Sequence, residues 1–458
     1  MRRWACTSVQ KTFSFQNQPV TRCSRRHYSV QAQKVEHTRT RPDPFPIQHE
    51  PAPTAKTRPD PYALVAPELT HLRGSLLSLL GSAHPGLSEI ARYYFLHPSK
   101  QLRSLIVLLF SHATNGLGRN WEEKRWAAVS EAETGLSEEL DRPLKLPDVL
   151  NNWHPSMPNN TASFEDVFEL RRPGMREPPP APPQSTKHSI PHLASPPLLL
   201  PVQLRLAQIV EMIHIASRLH HDVQDTTTDD EPPQEGFGNK LTILGGDFLL
   251  GRASAALSRL GESEVVELVA GVISNIVEGE MLRMKGMESP SLGQIGGTKT
   301  LDDAWDIYLR KTYLNTASLM AKSARAAVVL GGCREGEVWK DIAYAYGRYL
   351  GIAYQLVEDT LDYESGGENL TPGLATGPAL FAGEEHPELR PLIQRNFAED
   401  GDIELAISYV SKSAGIERTR LLAQSYADKA REVLQLLPDS ETKIALDVLT
   451  DCAVNRTW

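Results

Sequence analysis

The chain has 458 residues, 40% of them hydrophobic and 23% charged, which suits a folded protein in water and offers no apolar run of bilayer length. A formal net charge of −9 argues against a general nucleic-acid binder, because phosphate backbones are held mainly by surplus Lys and Arg. The four cysteines, Cys6, Cys23, Cys333 and Cys452, lie far apart with no CxxC pair, so a reducing compartment is the simpler expectation.

No acidic residue precedes Glu36, while Arg2, Arg3, Lys11, Arg22, Arg25, Arg26 and Lys34 are mixed with Ser, Thr and Gln. This composition predicts a mitochondrial transit peptide over 1–35, removed near residue 28 or 29; a disordered basic tail is the alternative. Residues 36–60, rich in Pro, Arg and Thr, are expected to be a linker without a core of its own. From Pro61, Leu and Val recur at helical spacing through two helices, broken at Gly81-Ser82 and restarted after His84-Pro85. A third helix, in KQLRSLIVLLFSHAT, is apolar on more than one face and therefore expected to be deeply buried. Residues from about 116 to 201 turn polar and proline-rich, which predicts a mostly disordered insertion. Helical character resumes at Val202 and runs, with short breaks, to about residue 453. No alternating strand pattern and no Gly-rich strand-to-helix loop is present, so an all-α fold is expected and a nucleotide-binding α/β fold is not.

Two acidic segments stand out in the helical region. LHHDVQD places Asp222 and Asp225 three residues apart, and YQLVEDTLDY places Glu358, Asp359 and Asp362 at matching offsets. Residues three or four apart share a helix face, so each segment can present its carboxylates together. Carboxylates on apolar helices are costly to bury unless a cation compensates them. Facing each other across a bundle, two such clusters suit a hard divalent ion with oxygen ligands, Mg²⁺ above all.

In this order, the two segments resemble the aspartate-rich motifs of trans-prenyl diphosphate synthases. LAQIVEMIHIASRLHHDVQD, FGNKLTILGGDFLLGRASAAL, IVEGEMLRM, YLRKTYLNTASLMAKSAR, YGRYLGIAYQLVEDTLDY and GLATGPALFA are all similar to that family, over roughly residues 61–115 and 202–455. The pattern is closest to the long-chain, hexaprenyl-type synthases of fungal mitochondria. The resemblance implies an isoprenoid-synthase-type helical bundle around a central apolar cavity, in a homodimer or a heteromer with another synthase subunit, located in the mitochondrial matrix. It implies condensation of isopentenyl diphosphate with an allylic prenyl diphosphate, for example toward a ubiquinone side chain or a specialised metabolite. Asp222, Asp225, Asp359 and Asp362 would hold Mg²⁺, with Glu358 a substitute ligand; Asp222, Asp225, Asp359 and Lys311 would serve catalysis. Lys100, Arg103 and His214 would bind the isopentenyl diphosphate, and Lys311, Thr312 and Gln355 the allylic one. On the helix entering the first motif, Ala216 and Ser217 would face the growing tail and leave its tunnel open.

The sequence also departs from the family pattern. His221 stands where the first motif has its leading aspartate, and Asp230 and Glu231 stand where two arginines usually follow. The loop ESGGENLTPGLAT after the second motif offers no lysine. Carboxylates in place of guanidinium groups repel diphosphate, which leaves two other expectations open. One is a catalytically impaired partner subunit of a heteromeric synthase; the other is a helical protein that binds prenyl lipids without chemistry.

Overall fold

The structure, a computed structural model, describes residues 58–80, 85–96, 101–133, 199–223, 238–285, 300–367, 370 and 373–456. The expected transit peptide, nearly all of the linker, most of the insertion, Lys100, Asp225, Asp230 and Glu231 lie outside these residues. Helices account for the regular structure, with no strand among the described residues. In chain order they are α1 (Pro61–Leu64), α2 (Ala66–Leu80), α3 (Pro85–Leu96), α4 (Leu102–Thr114) and α5 (Trp121–Glu133). There follow α6 (Pro201–His221), α7 (Asn239–Ser258), α8 (Ser263–Lys285), α9 (Leu301–Thr312), a π-helical turn (Tyr313–Ala317) and α10 (Ser318–Leu330). The last group is α11 (Val338–Glu364), α12 (Gly377–Glu385), α13 (Arg390–Gln394), α14 (Asp402–Lys412), α15 (Gly415–Leu434) and α16 (Glu441–Val454).

The apolar run of α4 behaves as its sequence demands. Leu105 to Phe110 are all fully buried, and the helix packs against α6, α10 and α16. α2 ends at Leu80 and α3 begins at Pro85, and the breaks expected from Gly81-Ser82 and His84 fall between them, outside the described residues. One expectation needs correction: α5 forms inside the stretch assigned to the disordered insertion. Its segment WEEKRWAAVSEAE contains good helix formers and no Pro or Gly, Trp121 is buried, and Lys124 reaches Glu262 at 3.0 Å.

α11 is the long axis that two apolar clusters share. One cluster joins it to α4, α6, α7, α8 and α10; the other joins its second half to α9, α12, α14 and α15. α10 and α11 come close because Gly347 and Gly351 carry no side chain: a Cβ there would lie 2.5 Å from the Met320 carbonyl and from Ala317 Cα respectively. That approach brings the π-helical turn against the stretch of α11 that holds Gln355 and Asp359. Among the described residues, no helix is long and apolar enough to cross a membrane.

Candidate active site

The basic corner is built on the first turn of α4. Gln101, which precedes the helix, is buried in a left-handed conformation (φ 42°), one that costs a non-glycine residue about 1 kcal/mol or more. The next turn carries Arg103, whose Nη1 donates to His214 Nε2 on α6 at 3.0 Å. A guanidinium can only donate, so Nε2 is the acceptor and the neutral ring carries its proton on Nδ1. Burial, with Arg103 and Arg218 nearby, pushes the His214 imidazolium well below the ordinary histidine range, which agrees with that tautomer. Glu211, one turn earlier on α6, accepts from the Ser104 N–H (3.2 Å) and hydroxyl (2.9 Å). It therefore satisfies an unpaired N–H of the helix start and sets where Arg103 emerges. Burial raises the Glu211 pKa, with Ser104 and Arg103 opposing.

The first acidic segment ends α6. Asp222 is its exposed C-cap, and Asp225 falls outside the described residues. The Tyr94 hydroxyl on α3 donates to Asp222 Oδ2 at 3.2 Å, while His221 Nδ1 approaches Oδ1 no closer than 3.8 Å. Burial raises the Asp222 carboxyl, but His221, Arg218 and Tyr94 outweigh it and hold the pKa below its ordinary value. Ala216 is fully covered by core packing, and only Ser217 of the expected tunnel pair keeps some exposure.

The second acidic segment lies well inside α11. Asp359 is 4% exposed, accepts from the Tyr308 hydroxyl of α9 at 2.6 Å and from Gln355 Nε2 at 2.8 Å. Gln355 Oε1 in turn accepts from the Thr316 hydroxyl at 2.8 Å, in the π-helical turn. Burial pushes the Asp359 carboxyl up to about 6; Tyr308, Gln355 and Lys311 oppose this and Asp362 adds to it. Lys311 and Asp362 thus lie within electrostatic reach of Asp359. Thr312 is buried close to Tyr308, where it opposes the upward push of burial on the Tyr308 hydroxyl. Glu358, expected as a substitute metal ligand, has another partner: it forms an ion pair with Arg456, which also donates to the Tyr354 carbonyl at 2.7 Å and stacks on the Tyr354 ring at 3.5 Å. The longer arm of Glu, compared with Asp, gives it that reach.

Several participants were not singled out from the sequence. Thr316 shares the face of Thr312 at a spacing of four, a signal that was present, but the π-helical turn that swings it onto Gln355 has no sequence signature. Tyr308, Tyr94, Glu211 and Arg456 act through contacts between distant segments. Among the described residues, no three His, Cys, Asp or Glu side chains are grouped closely enough to hold a metal ion by themselves. The donor chemistry nevertheless fits Mg²⁺: Asp222, Asp359 and Asp362 are hard oxygen ligands, and Asp359 is a buried carboxylate that neutral donors leave short of compensating charge.

Comparison with known proteins places this geometry in context. Residues 195–410 match the family described as polyprenyl synthetase. The chain is 40% identical, over 86% of its length and 84% of the relative's, to a probable mitochondrial hexaprenyl pyrophosphate synthase of Yarrowia lipolytica. It is 35% identical to decaprenyl-diphosphate synthase subunit 1 of Schizosaccharomyces pombe, over 86% of this chain and 90% of that one. Its fold is similar to that of a medium/long-chain length prenyl pyrophosphate synthase of Arabidopsis, with a TM-score of 0.53 and 27% identity over 87% of this chain and all of that one.

Proposed function

Since the chain belongs to the polyprenyl synthetase family of long-chain trans-prenyl diphosphate synthases, we propose that it extends an allylic prenyl diphosphate with isopentenyl diphosphate to a polyprenyl diphosphate. The observation that carries this is the buried Asp359 carboxylate, fixed by Tyr308 and Gln355 and facing Lys311 and Asp362. A carboxylate is kept in such a place when a cation is to complete it.

Each part of the site has a task. Arg103, with Lys100, takes the diphosphate of isopentenyl diphosphate, and the Arg103–His214 contact fixes the guanidinium's orientation. Lys311, Gln355, Thr312 and Thr316 line the allylic side. Asp222, Asp225, Asp359 and Asp362 would hold Mg²⁺, which when bound supplies charge neutralisation to the departing diphosphate. The apolar walls of α4, α6 and α10 exclude water from the carbocation until the adduct loses its proton. The name of the Yarrowia relative and the basic leader support a mitochondrial location, with residues 1–35 as the transit peptide and the matrix as the destination. A polyprenyl product there suits a ubiquinone side chain.

A second reading, a catalytically impaired partner subunit, is favoured by one observation: Glu358 is engaged by Arg456 while His221 has replaced an acidic residue. The subunit named for the S. pombe relative is compatible with it. The test is turnover of the purified mature chain with Mg²⁺, labelled isopentenyl diphosphate and allylic primers, alone and with candidate partner subunits. Product made by the chain alone supports synthase activity; product only with a partner supports the subunit role. A thermal shift with a prenyl alcohol, and none with Mg²⁺ and diphosphate, would refute both in favour of a lipid binder.

A further inference from the structure

Arg218 is an exposed cation on the face of α6 that carries the candidate site. His214, Arg218 and Asp222 follow one another at a spacing of four on α6, so they share one face. His214 holds Arg103 at 3.0 Å at one end of this row, and Asp222 accepts from Tyr94 at 3.2 Å at the other. Arg218 stands between them, a turn from each. A long helical side chain leans back toward the preceding turn, which directs Arg218 toward the turn that carries His214.

Its neighbours make the position unusual. Arg103 is largely buried, and Arg218 is close enough to disfavour the charge on Arg103 and on His214 alike. Two guanidinium groups brought together repel; Glu211 and Glu358 offset this in part at Arg103 and Asp222 lies near Arg218, and a bridging anion would draw on both cations at once. Some other arginines of the chain are paired: Arg325 with Glu264 and Asp341, Arg395 with Asp402, Arg418 with Glu384, Arg420 with Glu364 and Arg431 with Asp447. Arg456, on the far side of the basic corner, is engaged by Glu358. Among the described residues Arg218 makes neither a hydrogen bond nor an ion pair, although Asp222 is only one turn away.

We propose that Arg218 is a diphosphate ligand, whose guanidinium binds phosphate oxygens of a substrate diphosphate between the Arg103–His214 pair and Asp222. It thereby supplies, from a rigid helix, part of the positive charge that the sequence withdraws at Asp230 and Glu231. The inference rests on the reading of Arg103 and His214 as a diphosphate site, and adds a residue that the aspartate-rich and Lys-Arg motifs do not contain.

The test uses the purified mature chain and inorganic diphosphate with excess Mg²⁺ as the calorimetric probe, together with KM for isopentenyl diphosphate and for farnesyl diphosphate. Arg218→Leu is expected to weaken diphosphate binding and raise one KM by roughly tenfold, the scale of one charge-assisted contact, with an unchanged melting temperature because the side chain is exposed. Arg218→Lys, which keeps the charge and loses the fork, should recover part of the loss. Arg103→Gln is the reference. If Arg103→Gln impairs binding and Arg218→Leu changes neither affinity nor KM, the inference is wrong and the site reading stands. If neither variant alters diphosphate binding, or the parent binds none, the site reading falls and the inference with it. A loss in Arg218→Leu that tracks a lowered melting temperature and is not recovered by Arg218→Lys also overturns it.

Discussion

The two acidic segments have similar sequences and different physical situations. Asp222 sits at the exposed end of α6, with one hydroxyl contact at 3.2 Å, beside a histidine in place of an acidic residue. Asp359 sits deep on α11, fixed by two short contacts, one of them to Gln355, which Thr316 holds in turn. The interior segment is preorganised by the fold, whereas among the described residues the terminal one is held by a single hydroxyl contact. His221 lies at this exposed end, while the interior cluster keeps Asp359 and Asp362 and has Glu358 turned to Arg456.

The sharpest way to break this contrast is Asp359→Asn. A pKa raised from 3.8 to about 6 by burial corresponds to on the order of 3 kcal/mol of opposition to folding at neutral pH. Between those values the unfolded chain is ionised and the folded chain keeps its proton, so the folded state binds more protons. Metal-free stability of the parent therefore falls as pH rises from about 4 to above 6. His214, depressed by burial, works in the other direction below about 6.5, but it is common to both proteins and cancels in their difference. The Asn variant should melt higher than the parent at pH 7 without metal, lose the stabilisation that Mg²⁺ with diphosphate gives, and lose turnover by roughly a hundredfold or more. A variant that melts lower than the parent at pH 7 yet still responds to Mg²⁺ with diphosphate would show that Asp359 is a structural acceptor only.

The reverse experiment repairs the weaker segment. His221→Asp combined with Asp230→Arg and Glu231→Arg restores one carboxylate and two cations. Each charge-assisted contact is worth about 1.5–3 kcal/mol, so turnover should rise by several tens-fold. No gain, in a parent already as fast as a synthase with intact motifs, would mean that these positions do not handle diphosphate in this chain.

How far the sequence reached follows the same division. Helical periodicity and the apolar run of α4 were legible because burial of a helix face is written locally, every three or four residues. Spaced carboxylates were legible for the same reason. Thr316 on Gln355, Tyr308 on Asp359 and Arg456 on Glu358 were not, since each joins segments between 39 and 98 residues apart, and a π-helical turn changes which side chain faces inward. α5 was missed because a proline-rich average over its neighbourhood hid a short stretch of good helix formers.

Tyr308→Phe loosens the interior segment without removing it. The ring still fills its buried place, but Asp359 loses the donor at 2.6 Å that favours its ionised form. Turnover should fall about tenfold and the Mg²⁺ concentration for half-maximal rate should rise, as one charge-assisted hydrogen bond predicts. A drop in rate with no change in Mg²⁺ dependence would place the role of the Tyr308 hydroxyl outside metal binding.

The smallest effect on rate, with the clearest effect on product, is expected one turn before the exposed segment. Ala216 and Ser217 were both expected to face the growing prenyl tail, yet Ala216 is fully covered and only Ser217 retains exposure. A phenyl ring at Ala216 must therefore displace packed neighbours, at a cost of about 1–3 kcal/mol in stability, and any change in product there is confounded with strain. Ser217 is partly exposed, so a ring there has fewer packed neighbours to displace. If the tail passes this side chain, Ser217→Phe should stop elongation earlier and shorten the product, with early condensations nearly as fast as in the parent and the melting temperature little changed. Chromatography of the dephosphorylated products against prenyl alcohols of known length reads this directly. The same chain length from Ser217→Phe and the parent would put the tail on another face of the bundle, and a shorter product from Ala216→Phe alone, in a protein that melts normally, would restore the pairing expected from the sequence.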